Sequence, residues 1–328
     1  MKWQPASRPS AFRLRRFDVG DVAQTSVAQT SVAQTSVATA LRAAIARFNQ
    51  AGIDSPTPTA RALLAAALDK PREWLVAHND HPLSPAQAEA FERLIARALA
   101  HEPLAYLLGR REFYGLDFVI DPRVLIPRPE TEMLVERALE RLRNPGQNCA
   151  PQPDAGRVDV DVIDVGTGSG AIAIAIARHA PGARLAATDI SGEALEVARL
   201  NARRHGVADR IAFAQADLLE NTPYRAGVIT ANLPYVTTEE IETLPPEIQA
   251  HEPRVALDGG GDGLALVRRL LGQLPAHLLP GGAAFFEIGA SQGAAALRAA
   301  AEALPSAHVT LDKDLAGLDR VLSVVMPA

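Results

Sequence analysis

Val162-Ile163-Asp164-Val165 runs into Gly166-Thr167-Gly168-Ser169-Gly170, and those glycines lead into Ala171-Ile172-Ala173-Ile174-Ala175-Ile176. An apolar strand is followed by a turn nearly free of side chains and then by a helix apolar enough to be buried. The same alternation continues to the C-terminus. Strands are expected at 158–165, 184–189, 210–215, 226–231, 283–289, 307–311 and 319–326, and helices at 170–179, 192–205, 264–274 and 291–303. Alternation of this kind predicts an α/β fold with a mainly parallel, Rossmann-like sheet covered on both faces. Ligands in such sheets bind at the carboxyl ends of the strands, where the strand order reverses.

The first part of the chain reads differently. Residues 22–36 repeat Val-Ala-Gln-Thr-Ser three times, a period that suits neither helix nor strand and offers no large apolar side chain. Residues 1–37 are therefore read as a disordered, low-complexity extension. Helical signals follow over 38–100: Leu41, Ile45 and Phe48 form one stripe that stops at Gly52. A second helix is expected over 59–69 with Leu64 and Leu68 inward, ending before Pro71. Ser84-Pro85-Ala86-Gln87 is a capping box with proline at the first helical position, ahead of the stripe Phe91, Leu94, Ile95 and Ala98. Such a bundle suits a partner-binding module or a stabilising lid, and periodicity does not choose between them. Residues 101–143 read as a connecting hairpin about Gly115 and a helix, and the Pro- and Gly-bearing stretch 144–157 as a surface loop opening a catalytic domain over 144–328.

Composition narrows the function. Over 328 residues, 33 basic and 38 acidic side chains give a net charge of −5, which exerts no general pull toward nucleic acid. Cys149 is the only cysteine, which excludes internal disulfides and cysteine-rich zinc sites, and His101, His179, His205 and His251 lack metal-ligand spacing. No apolar run approaches the ~20 residues that span a bilayer. Met1–Gly20 has no apolar core of the kind a secretory signal needs, so a cytoplasmic, membrane-free protein is expected.

Two motifs carry the chemistry. The glycine loop is Gly-Thr-Gly-Ser-Gly, not the Gly-x-Gly-x-x-Gly spacing that seats a pyrophosphate, and no lysine follows it to make a Walker-type loop. Asp189, at the end of the next strand, is placed to accept from the ribose hydroxyls of an adenosine cofactor, with Ile190 beside it and Asp217-Leu218 bordering the adenine. With Asp164 and Asn232 these residues form a candidate S-adenosylmethionine site. Asn232-Leu233-Pro234-Tyr235 then follows the apolar run 227–231. Pro234 holds Leu233 extended, so the Leu233 carbonyl and the Asn232 side chain can converge as two acceptors on one NH2 group. Tyr235 would stack on a planar acceptor. The bland alternatives are a capping acid at Asp189 and a proline turn at 232–235.

The sequence resembles the N5-glutamine methyltransferases of bacterial peptide chain release factors over roughly 40–326. The likeness is carried by Glu102–Gly109 through Leu125-Ile126-Pro127-Arg128-Pro129-Glu130-Thr131-Glu132, by Gly166–Gly170 with Asp189, and by Glu252-Pro253 with Ala256-Leu257-Asp258-Gly259-Gly260-Gly261-Asp262-Gly263-Leu264. It implies a class I S-adenosylmethionine-dependent domain behind a helical substrate-recognition domain, methylating the glutamine of the release factors' Gly-Gly-Gln loop. It also implies that Glu252 and Pro253 border the acceptor pocket, that release factors are the partners, and that nucleic acid is not bound directly; a monomer is expected. The family's tetrapeptide is usually Asn-Pro-Pro-Tyr, and Leu233 replaces its first proline. Asn-Leu-Pro-Tyr also occurs in ribosomal RNA adenine dimethyltransferases. A ribosomal-protein glutamine methyltransferase is the second reading, and an RNA or DNA amino-methyltransferase or an inactive adaptor are further ones.

Overall fold

The structure, a computed structural model, describes residues 35–144 and 156–328. The expected extension up to residue 34 and most of the expected loop, 145–155, lie outside the described residues.

Five helices come first: α1 (Val37–Gln50), α2 (Pro56–Leu68), α3 (Arg72–Ala77), α4 (Pro85–Leu99) and α5 (Leu104–Leu108). Residues 35–37, expected within the extension, belong to the folded helical part. Ser36 caps α1 by accepting from the Thr39 amide at 3.3 Å, the Leu83 amide donates to the Thr35 carbonyl at 2.9 Å, and Val37 is fully buried. The stripe on α1 is also shifted, because Val37, Ala40, Ala44 and Phe48 are its buried residues while Leu41 and Ile45 flank them. On α4 both hydrogen bonds of the capping box form, between Ser84 and Gln87. These helices share one apolar cluster that includes Phe48, Leu63, Leu64, Phe91 and Ile95. Helix α5, assigned to the connector, belongs to two cores. Its Leu107 joins the helical cluster while its Tyr106 joins a second cluster further along the chain and donates its hydroxyl to the Val124 carbonyl at 2.7 Å.

The hairpin β1 (Arg110–Phe113) and β2 (Leu116–Val119) turns at Gly115, as expected, and α6 (Glu132–Arg143) follows. Then the alternation appears as β3 (Val158–Val165), α7 (Ala171–His179), β4 (Leu185–Asp189), α8 (Gly192–Arg204), β5 (Ile211–Gln215) and β6 (Tyr224–Ala231). After two short helices, α9 (Thr238–Ile241) and α10 (Pro246–His251), come α11 (Ala265–His277), β7 (Leu278–Glu287), α12 (Gly293–Ala303), β8 (His308–Lys313) and β9 (Asp319–Val325). The seven-stranded sheet has the order β5-β4-β3-β6-β7-β9-β8, with the pairs from β5 to β7 parallel and the β9 pairings antiparallel.

Strand alternation divides the core. Val162 and Val228 face one apolar cluster, shared with α6 and α7, while Ile163 and Ile229 face the other, shared with α11 and α12. Strand β7 starts at Leu278, not 283, because a register irregularity opposite 226–228 lets it absorb the Pro280-Gly281-Gly282 stretch that reads as a turn. The order reverses between β3 and β6, which fixes where a ligand can sit.

Candidate active site

Parallel pairing of Val165 with Ala231 puts the next residues of both strands, Gly166 and Asn232, side by side where they leave the sheet. The two motifs are thereby neighbours, although 62 positions of sequence separate the glycine loop's last residue from Asn232. Gly166 and Gly168 hold φ of 70° and 55°, a region that L side chains rarely adopt. The amides of Gly166 and Thr167 both donate to the Thr188 carbonyl at 2.9 Å, tying the loop to the end of β4. A Cβ on Gly166 would stand 3.2 Å from Cδ2 of Leu233, so the loop and the tetrapeptide pack directly. Gly168 has nothing within 4 Å of the place where a Cβ would stand, and its backbone lies open to the cavity.

That cavity, of about 570 Å³, lies across the carboxyl ends of β3, β4 and β6. Gly166, Thr167, Gly168, Ser169, Asp189, Ile190, Asp217 and Leu218 line it together with Asn232, Leu233, Pro234 and Pro253. Asp189 accepts from the Gly168 amide at 2.8 Å and from the Ser191 amide at 2.9 Å. Burial pushes its carboxyl above the ordinary carboxylate range, against the pull of these backbone donors. A carboxylate offers about four acceptor positions, so two bonds leave capacity for a ligand. Ile190 is 53% exposed at the rim, an apolar surface waiting for a flat partner. Asp217 pairs with Arg269 at 2.9 Å, and Leu218 holds a left-handed φ of 55°.

Four expected site residues stand outside the lining: Asp164, Gly170, Tyr235 and Glu252. Asp164 is fully buried and accepts from the hydroxyls of Thr167 at 2.6 Å and Thr230 at 2.9 Å, so it pins the glycine loop to β6 from behind. Desolvation raises its pKa to about 6, with both hydroxyls pulling the other way. Gly170 is a packing glycine: a Cβ there would come within 2.8 Å of Ile174 and 3.2 Å of Ala198. Tyr235, expected to stack on the acceptor, donates its hydroxyl to Glu287 at 3.2 Å. Glu252 is buried and receives Arg128 at 2.5 Å and the Ile126 amide at 3.3 Å. It joins the two-proline segment to the loop that carries Pro253, rather than touching the cavity.

Of the further contributors, Arg123 had no signal in the sequence, while Leu125, Pro127 and Thr131 were marked only as part of the family likeness and not as site residues. Arg123, Leu125, Pro127 and Thr131 form a wall of the cavity, and the Asn232 side chain donates to the Thr131 hydroxyl at 3.0 Å. The glycines of 259–263 explain why that stretch lacks side chains. A Cβ on Gly259 would lie 2.6 Å from the Pro234 carbonyl oxygen, and one on Gly263 would fall on the Tyr235 carbonyl and the Gln292 amide. Gln292 itself donates to the Tyr235 carbonyl at 2.8 Å, and the Gly259 amide donates to the Val236 carbonyl at 2.8 Å. The tetrapeptide backbone is thus clamped from below.

The chain is similar to known proteins over both its helical part and its sheet. Residues 39–109 match the family model described as PrmC N-terminal domain, and residues 153–278 match the one described as Methyltransferase small domain. A release factor glutamine methyltransferase of Cereibacter sphaeroides is 40% identical over 289 residues, covering 88% of this chain and 98% of that protein. Its counterpart in Bordetella pertussis is 42% identical over 268 residues, covering 81% and 93%. The solved structure of a protein-(glutamine-N5) methyltransferase (release factor-specific) from Alicyclobacillus acidocaldarius is 30% identical, covers 64% of this chain and all of that one, and has a TM-score of 0.37. Identity at this level across both the helical part and the sheet means that the chain belongs to the release factor glutamine methyltransferase family.

Proposed function

We propose that this protein methylates the side-chain amide nitrogen of the glutamine in the Gly-Gly-Gln loop of peptide chain release factors, using S-adenosylmethionine as the donor. The observation that carries the reading is the adjacency of the glycine loop and Asn232 at the β3–β6 strand ends, on one cavity. The residues fit an adenosyl sulfonium: an acidic side chain at the β4 end, an open glycine backbone and an exposed apolar Ile190 line the space, with no lysine in the loop to hold a phosphate. When bound, S-adenosylmethionine supplies an electrophilic methyl group.

The chain's own task is to hold a nearly non-basic amide nitrogen in line. Asn232 Oδ1 and the Leu233 carbonyl are suited to accept the two N–H bonds of the substrate amide, which turns its nitrogen lone pair toward the donor. Both acceptors would also stabilise the positive charge that develops on that nitrogen. Positioning of this kind supplies a large part of a barrier reduction without a general base. Leu233 in place of the family's proline leaves that carbonyl in service, because Pro234 still restricts the preceding backbone. Pro253, Arg254 and Val255 line the same cavity and are suited to meet the release-factor loop. A protein substrate of this kind implies action in the cytoplasm.

The test is to incubate the protein with labelled S-adenosylmethionine and an intact release factor, then map the modified residue by mass spectrometry. Label on the Gly-Gly-Gln glutamine is the expected result. Label on a ribosomal protein or on RNA, with none on the release factor, would replace this reading. Asp189→Ala should at the same time weaken cofactor binding by roughly 1.5–3 kcal/mol for each hydrogen bond lost to the charged group; unchanged affinity in calorimetry would remove Asp189 from the cofactor site.

A further inference from the structure

Asn232 donates through Nδ2 to the Thr131 hydroxyl oxygen, 101 positions earlier in the chain, at 3.0 Å. An asparagine side chain has one accepting end and one donating end. With the donating end engaged at Thr131, Oδ1 is the end left for the cavity. Thr131 is 3% exposed, so bulk water does not supply its remaining partner. Its oxygen receives Asn232, and its own proton needs an acceptor.

Glu287, the last residue of β7, stands beside it. Its carboxyl is 1% exposed, Tyr235 donates to Oε1 at 3.2 Å, and Oε2 has no hydrogen-bond partner among the described residues. Burial pushes this carboxyl above its ordinary range, while the Thr131 and Tyr235 hydroxyls and the charge of Arg320 draw it back toward the ionised form. The Asn232 amide donates to the Thr131 oxygen and the Tyr235 hydroxyl donates to Glu287 Oε1, and the Glu287 carboxyl is the acceptor within reach of the Thr131 hydroxyl.

We propose that Thr131 and Glu287 are positioning residues that lock the amide orientation of Asn232, so that its oxygen and never its NH2 faces the substrate amide. A flipped Asn232 would set a donor against the donating NH2 of glutamine and abolish the alignment. Glu287 lies outside the cavity lining and acts only through Thr131 and Tyr235. The inference rests on the glutamine-methylation reading above, deepening the account of its acceptor site.

The test uses the full-length protein and measures kcat and KM for an intact release factor, with S-adenosylmethionine affinity from calorimetry. Thr131→Val keeps the side-chain shape and removes the hydroxyl; Thr131→Ser keeps the hydroxyl. Glu287→Gln keeps the volume and introduces a donor. Thr131→Val and Glu287→Gln should lower kcat by about tenfold to a hundredfold, with cofactor affinity held within about twofold. Thr131→Ser should restore most of kcat. In an Asn232→Ala background, Thr131→Val should add no further loss, because the two residues act through one group. Folded Thr131→Val protein with native kcat, or losses that simply add in the Asn232→Ala background, would overturn the relay. If circular dichroism shows Glu287→Gln to be unfolded, the Val and Ser variants at 131 decide alone. Wild-type protein that modifies no release factor overturns the functional reading instead, and so separates the two failures.

Discussion

Asp164 has no exposed surface and a pKa raised to about 6 from 3.8, caused first by desolvation. Because the folded protein holds this proton more tightly than the unfolded chain, Asp164 adds stability as pH falls through 6, and the gain is complete below 3.8. Above 6 the buried charge is carried at a cost, offset in part by the Thr167 and Thr230 hydroxyls. Asp164→Asn removes the titration while keeping the shape. The stability advantage of the wild type over this variant should therefore grow by about 1 kcal/mol between about pH 7.5 and about pH 5. Denaturant titrations showing a constant difference over that interval would contradict it. The residue's position before the glycines was legible in the sequence, but its job was not. Whether a strand-end acid faces a ligand or the underside of a loop depends on which hydroxyls meet it, and Thr230 reaches Asp164 only across the β3–β6 pairing. Thr131 was hidden for the same reason, since its partner is 101 positions away.

At the level of elements, the segments that announced themselves were those with strong local chemistry. The strand Val158–Val165, the capping box at Ser84 and the hairpin at Gly115 all form where their residue types demand. The misread boundaries lie where tertiary contacts override local cues. Val37 and Ser36 look like the tail of a repeat, yet one is buried against the helical core and the other caps α1. Extending an N-terminal truncation from residue 34 to residue 37 should consequently cost about 2–3 kcal/mol, from one lost cap and one lost apolar burial. Equal melting temperatures for the two truncations would refute the capping role. The clamp beneath the acceptor tetrapeptide makes a sharper case. Gly263 holds φ of 72° and leaves no room for a Cβ against Tyr235 and Gln292. Gly263→Ala must push the tetrapeptide backbone out of place, and a shift near 1 Å there should lower kcat by about a hundredfold. Cofactor affinity should fall far less than kcat, because the added Cβ meets Tyr235 and Gln292 and reaches Gly166–Ser169 only through Leu233. Native kcat in this variant would show that the clamp is not needed.

For the molecule as a whole, charge and connectivity set the remaining expectations. With 33 basic against 38 acidic residues, the protein lacks the excess of cations that drives sequence-independent binding to phosphates. An excess of bulk RNA should leave the rate of release-factor methylation unchanged within about twofold at physiological salt; strong competition would mean that nucleic acid reaches the acceptor site. The pairing of β3 with β6 has a wider consequence. The glycine loop and the tetrapeptide, the proposed donor and acceptor sites, each begin one residue past a paired position, Val165 and Ala231. A slip of that pairing by one position would displace one partner of the reaction by about 3.3 Å along the strands and turn its side chains to the opposite face. On the proposed reading, the distance over which the methyl group would travel is gauged by the backbone ladder, a ruler that side-chain changes in the surrounding loops leave untouched. Drift in those loops can retune which protein is held, and how tightly, without recalibrating the line of transfer.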